Sequence, residues 1–205
     1  MTSYAHLPCA AGDCSNSGRW RSRFCAMHEK RIDRHGWAGG RTMREEELRE
    51  HTALVSEGLA RYANTDPVRI AYQIGDELLR WSPSWPVVST FHEKAAALLA
   101  MIRNQGITGR ELVLRTCAVM SFIRAHRERF PTRVAEDIAL GRGIRRLITL
   151  PYGHPNARTL RVLASVVRDG LDRFVFMLLK RMESDEERAR QTFNIAAFDK
   201  VTGNG

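Results

Sequence analysis

The pattern Cys9-x4-Cys14-x10-Cys25-x2-His28 constrains this chain more than anything else in it. Three thiols and an imidazole arrive as two pairs within one short segment. One pair suits a turn, and the other suits the first turn of a helix. Tetrahedral zinc takes four such ligands in that arrangement, so Cys9, Cys14, Cys25 and His28 are the expected metal ligands and Zn2+ the expected cofactor. Disulfides are the poorer reading. The opening Met1-Thr-Ser-Tyr-Ala-His6 has neither the basic nor the apolar region of an export signal, so the protein is expected in a reducing cytoplasm, where cysteines serve metals more often than cross-links. His6 and His35 would each break the ligand spacing, and Cys117, alone in an apolar stretch, reads as core.

Between the ligand pairs, Arg19-Trp20-Arg21-Ser22-Arg23-Phe24 alternates strictly. In a strand, the three arginines would face one way while Trp20 and Phe24 covered the metal. Residues 1–41 are therefore expected to form a zinc module of one β-hairpin and one short helix. Some forty residues bury too little apolar surface to fold alone, so metal binding should supply the folding free energy.

These residues resemble a known group. A Cys-x4-Cys pair, a basic link with an aromatic before the third cysteine, then Cys-x2-His, a basic helix and His-Gly is similar to the short zinc modules of bacteriophage and mobile-element DNA-binding and HNH-associated proteins. The matching positions are Cys9, Cys14, Phe24, Cys25, His28, Arg31, Arg34, His35 and Gly36, and the likeness covers about 30 of the 205 residues. It implies a cytoplasmic, transcription-regulatory or other DNA-binding protein. Two departures stand out. Glu29 occupies a place that is often aromatic in such modules, and no HNH motif follows, so the resemblance carries no nuclease activity.

After residue 41 no strand-like alternation appears, and residues 42–205 read as an all-α domain with a frayed C-terminal end, making the chain mainly α. Capping-box patterns at Thr42/Glu45, Thr90/Glu93, Thr108/Glu111 and Ser184/Glu187, with Asp66-Pro67 as a fifth start, punctuate the helices. Apolar spacing gives helices near 43–63, with Leu48, Val55, Leu59 and Tyr62 inward, and 67–81, with Ile70, Ile74, Leu78 and Trp81 inward. A third covers 91–104, and two broadly apolar helices, 109–130 and about 156–182, should pack against each other. Gly141-Arg142-Gly143 should break the segment between these two into short pieces, a weak likeness to a helix-turn-helix. The connector Trp81-Ser-Pro-Ser-Trp85-Pro86 is rigid and aromatic, and it suits either a partner or the protein's own core.

Charge bears on partners. The chain has 32 basic and 23 acidic residues, a net +9, and only four of the basic residues are lysine. Three blocks hold the excess: residues 1–41, 103–133 and 142–179. In the first, Arg19, Arg21, Arg23, Lys30, Arg31 and Arg34 form the expected nucleic-acid surface, by phosphate contact and probing DNA before RNA. The other two either extend that surface or pair with the acidic stretch 42–66. No catalytic residue stands out: the second histidine that His92-Glu93 would need for a zincin site is Ala96, and Gly141-x-Gly143 follows no strand. A non-enzymatic nucleic-acid-binding protein is the leading expectation. The alternative is a protein-interaction factor, an inhibitor or adaptor of a host protein, with no membrane role in either case.

Overall fold

The computed structural model describes residues 7–12, 14–19, 22–83, 89–149 and 154–202, the last fourteen by their backbone alone. Expectations for His6, Trp20, Arg21, the Ser84–Pro86 half of the connector and the Gly203–Gly205 end lie outside the described residues. Among the described residues there are seven α-helices and one 3-10 turn: α1 (Ala26–His35), α2 (Glu45–Arg61), α3 (Asp66–Leu78), α4 (Thr90–Asn104), α5 (Gly109–Ala125), the turn Arg127–Arg129, α6 (Arg133–Arg145) and α7 (Ala157–Thr202).

Helix α5 sits at the centre because it can. Leu112, Val113, Cys117, Ala118, Val119, Phe122 and Ile123 are all buried, leaving it almost no polar face. Its start is the capping box expected at Thr108/Glu111: the Thr108 hydroxyl accepts the Glu111 amide, and the Glu111 carboxylate accepts the Thr108 amide. Around it, α2 and α3 lie along α5, α6 packs on both α5 and α7, and α4 closes against α7. Each of the dozen or so large core side chains contributes about 1.5–3 kcal/mol by burial. Leu160, Leu163, Val167, Leu171, Phe174 and Leu178, the face expected of α7, are all buried.

Four expectations need correction. Helix α3 presents Val68, Ala71, Gly75 and Leu78 to the interior and leaves Ile70 exposed. A Cβ on Gly75 would stand 2.5 Å from the Gly109 carbonyl oxygen, so the small-residue row faces α5 to let the two backbones meet. Helix α6 runs unbroken through Gly141 and Gly143, which removes the helix-turn-helix. Gly141 is needed for contact with the Leu160 backbone, not for a turn. Helix α7 passes straight through Ser184/Glu187, where an interior position offers no free amides to cap. Finally, the described residues contain no β-strand. The N-terminal segment has two isolated antiparallel bridges, Pro8 with Ser17 and Arg19 with Ser22. Residues 19 and 22 exchange both backbone hydrogen bonds at 3.0 Å, so the chain folds back there and the continuous alternating strand cannot form. No described helix is long and apolar enough to cross a membrane.

Candidate metal centre and basic groove

Cys25 is the N-cap residue of α1, with extended backbone, and His28 occupies the third helical position. That places both side chains at the positive end of the helix. The other pair reaches them through the bridge at Pro8 and Ser17, where the Cys9 amide donates to the Asn16 carbonyl at 2.9 Å and the Gly18 amide to the Leu7 carbonyl at 2.9 Å. The Ala10 amide donates to the Arg23 carbonyl at 2.8 Å, tying the loop to the segment before α1. The Cys25 amide points at Cys9 Sγ, 3.3 Å away, as amides do around ligating sulfurs.

The four ligand atoms lie within 4.8 Å of one another. His28 Nδ1 is 3.3 Å from Cys9 Sγ and 3.3 Å from Cys25 Sγ, and Cys14 Sγ is 3.9 Å from Cys25 Sγ. A tetrahedron with zinc-like bond lengths has edges of roughly 3.8 Å between sulfurs and roughly 3.6 Å between sulfur and nitrogen. The cluster therefore has the size of one four-coordinate ion, and three of its members are buried. Its charges ask for a cation as well. The amides of the first turn, His28 foremost, draw the Cys25 thiol down to about 6 against the cost of burial. Cys14 is raised: the Asn16 amide favours its thiolate, but burial and the neighbouring Cys25 and Cys9 sulfurs outweigh it. Three thiols this close ionise together only around a positive charge.

Around and beyond His28, α1 places Met27, Lys30, Arg31 and Arg34 at i, i+3, i+4 and i+7, one face of the helix. Facing them is the segment Gly40–Thr42, and between the two runs an open groove of about 560 Å³. Arg41 lines its far side, and no acidic side chain lines it. Arg41 is 3.9 Å from Glu47 and stays largely exposed.

The groove's frame is fixed by the helical body. Gly36 ends α1 at φ 81°, and its amide donates to the Ile32 carbonyl at 2.8 Å. A Cβ there would meet the Ala135 amide nitrogen of α6 at 2.8 Å. The Trp37 indole donates to the Arg129 carbonyl at 2.9 Å. Arg142, from the last turn of α6, donates to the Arg34 carbonyl at 2.6 Å and to His35 Nδ1 at 2.7 Å. Burial, then the charges of Arg142, Arg34 and Arg31, pull His35 down to about 4, so it is a neutral acceptor near pH 7.

Comparison with protein-family models, with curated proteins and with solved structures finds no match to this chain. Its chemistry must be read from the residues themselves. All four expected ligands converge, and so do Lys30, Arg31 and Arg34. Arg19 does not join them: it is bound to Glu29 at 2.6 Å, on a different face of α1. That contact explains Glu29 at a position often aromatic in such modules, since the carboxylate, its pKa lowered first by Arg19, pins the turn to the helix. Arg23 is exposed outside the groove lining, and Arg21 lies outside the described residues. Two residues were missed. Arg41 and Arg142 lie in the sequence among many arginines, and only the tertiary approach of α6 to α1 singles them out.

Several arginines of the remaining blocks pair with acids on neighbouring helices. Arg115 grips Glu45 with two hydrogen bonds of 2.9 and 2.6 Å, Arg146 reaches Glu45 at 3.3 Å, and Arg129 grips Glu47 at 2.8 and 3.3 Å. These are pairs with the acidic stretch 42–66, one of the two roles expected for them. Arg168, 4% exposed, sits among Glu136, Asp137 and Asp172.

Proposed function

We propose that the Cys9, Cys14, Cys25 and His28 cluster holds zinc, and that the zinc-folded segment presents its groove to a nucleic-acid backbone. The protein is then a non-enzymatic, regulatory nucleic-acid-binding factor, in keeping with the phage and mobile-element modules it resembles. Four protein ligands leave no open coordination position, which suits a structural ion and not a catalytic one. Three sulfurs and one nitrogen in a tetrahedral cluster favour zinc over harder cations, and zinc supplies the cross-link that so small a segment lacks.

One observation carries the nucleic-acid reading: Lys30, Arg31, Arg34 and Arg41 line a single groove without an acid among them. A backbone of phosphates is the ligand that satisfies a row of cations without further recognition. A second reading has its own support. Met27 lies in the same groove and is 47% exposed, which fits an acidic protein partner offering an apolar contact.

Metal analysis of protein purified without added zinc should give one zinc per chain. Binding to duplex and single-stranded DNA and to RNA, measured across salt concentrations, should weaken steeply with salt. Replacing Lys30, Arg31 and Arg34 together by Ala should flatten the log–log slope by roughly 2–3 units, while Arg19→Ala leaves it near the wild-type value. Undetectable binding to all three probes at low salt would exclude the nucleic-acid reading and leave the acidic protein partner.

A further inference from the structure

A second concavity shares no lining residue with the metal centre or the groove. It is a cleft of about 720 Å³ bounded by the end of α3, the start of α4 and one face of α7, a size ordinary for small-molecule sites. Leu78, Val162 and Val166 form part of its apolar floor. Trp81, the described half of the aromatic connector, makes one wall and stands beside His92, their ring centres 6.4 Å apart.

The polar groups are arranged by charge along the cleft. Arg158, Arg161, Ser165 and Asp169 fall at i, i+3, i+7 and i+11 of α7, a single exposed stripe. Neither arginine makes a hydrogen bond or ion pair among the described residues. Arg158 lies over the Phe91 ring at 5.6 Å. Both sit within the first turns of α7, where the helix dipole adds to their charge. His92 is oriented by its neighbour: Nδ1 is 2.7 Å from Ser89 Oγ, so with the hydroxyl donating, Nε2 carries the proton. Of the two acids in the lining, Asp137 is already taken by Arg168 at 3.0 Å and Arg133 at 3.3 Å. Asp169 has no such partner among the described residues, and it lies eight residues, roughly 12 Å, along α7 from Arg161.

The geometry points to a binding site for a nucleoside monophosphate: Arg158 and Arg161 take the phosphate, Trp81 stacks on the base, and Asp169 accepts hydrogen bonds from the hydroxyl or amino groups at the far end. A bare anion would leave Trp81 and Asp169 unused. A neutral ring would leave the two guanidinium groups with no acid of their own, since Asp137, whose charge Arg161 also meets, is shared with Arg168 and Arg133. One molecule carrying both parts uses the whole cleft.

Titration calorimetry of the zinc-loaded full chain with adenosine, guanosine, cytidine and uridine 5′-monophosphates tests this. At least one should bind with a dissociation constant of about 0.1 mM or tighter. Its parent nucleoside and inorganic phosphate should each bind at least about tenfold more weakly. Arg161→Glu, at an exposed position that leaves the fold intact, should weaken binding more than about tenfold, and Trp81→Leu should weaken the nucleotide but not phosphate. The proposal is overturned if none of the four binds at ~5 mM, if Arg161→Glu changes nothing, or if inorganic phosphate binds as tightly as the nucleotide. Loss of binding in the Lys30, Arg31 and Arg34 triple variant, with Arg161→Glu unaffected, would place the nucleotide in the basic groove and also overturn it. Because the groove is probed with long nucleic acids and its own variants, either reading can fail while the other stands.

Discussion

His35 shows how far a single residue's chemistry depends on what packs against it. In the sequence it is one more histidine after a basic helix; in the fold its Nδ1 accepts from Arg142 and its ring is half buried. Burial first, and then the charges of Arg142, Arg34 and Arg31, disfavour an imidazolium there, so the folded pKa falls to about 4 from the ordinary value near 6.5. A depressed histidine stabilises the fold fully above the unfolded value, and that contribution is lost as pH falls from about 6.5 through 4. The expected result by NMR is a His35 ring that does not titrate between pH 7 and 5.5, and whose pKa rises toward the ordinary range in Arg142→Ala. A His35 midpoint near 6.5 in the wild type would show that the Arg142 contact does not form in solution. At this scale the convergence of Cys9, Cys14, Cys25 and His28 was legible because a Cys/His cluster is written in residue type and spacing. Arg142 was not, because nothing local marks an arginine as the one that reaches another helix.

At the level of elements, the N-terminus of α2 gathers three distant arginines. Glu45 and Glu47 lie in its first turn, where carboxylates already favour the helix dipole, and Arg115, Arg129 and Arg146 arrive from α5, the turn after it and the end of α6. The Glu47 carboxylate also accepts the Arg44 amide at 2.7 Å, and with Arg129 as the main cause its pKa drops to about 2. Glu47→Gln should therefore cost about 1–2 kcal/mol at pH 7, measured by urea unfolding. The wild-type advantage should be present above about pH 4.3 and shrink as pH falls toward 2, where the native carboxylate protonates. A variant as stable as wild type at pH 7 would mean that this pair is only a surface contact. Helix identity was largely readable, since apolar spacing located α2 to α5 within a few residues. Boundaries slipped where several polar residues competed to cap: α2 uses Arg44 and Glu47 in place of Thr42 and Glu45, and α4 starts after Ser89, which hydrogen-bonds His92. Breaks were misread where glycine serves close packing, as at Gly141, because spacing along one chain does not reveal what stands across from it.

For the whole molecule, the question is how strongly the segment carrying the Cys/His cluster and the helical body depend on each other. The core is built from α2 to α7 with Met43, and none of the ligand cysteines belongs to it. The contacts between the two parts include Gly36 on α6, the Trp37 indole on Arg129, and Arg142 on the end of α1. Cys25→Ser should then unfold the N-terminal segment and α1 while the body still melts cooperatively, with its stability lowered by about 1–2 kcal/mol from the lost docking contacts. Far-UV circular dichroism with thermal melting checks this: a modest helix loss and a single transition are expected, and complete unfolding at 25 °C would show a shared core. Net charge was a poor guide at this scale. Several arginines pair with acids on neighbouring helices, and among the described residues one row of cations lines a groove and two more line a cleft that composition alone could not locate.

The approach of Gly36 to Ala135 implies something about tolerance to change. The residue binds no metal and touches no proposed ligand, yet its left-handed backbone excludes most side chains and its neighbour leaves no room for a methyl group. In a library of every single substitution, position 36 should be nearly as intolerant as the four ligands when groove binding is scored, and Gly36→Ala should cost about 1–3 kcal/mol in docking. Zinc content should survive that substitution, since α1 and its ligands precede the joint. The joint acts as a fixed mount, holding the basic face at one angle to the helical body, so a partner engaging both would meet a preset alignment.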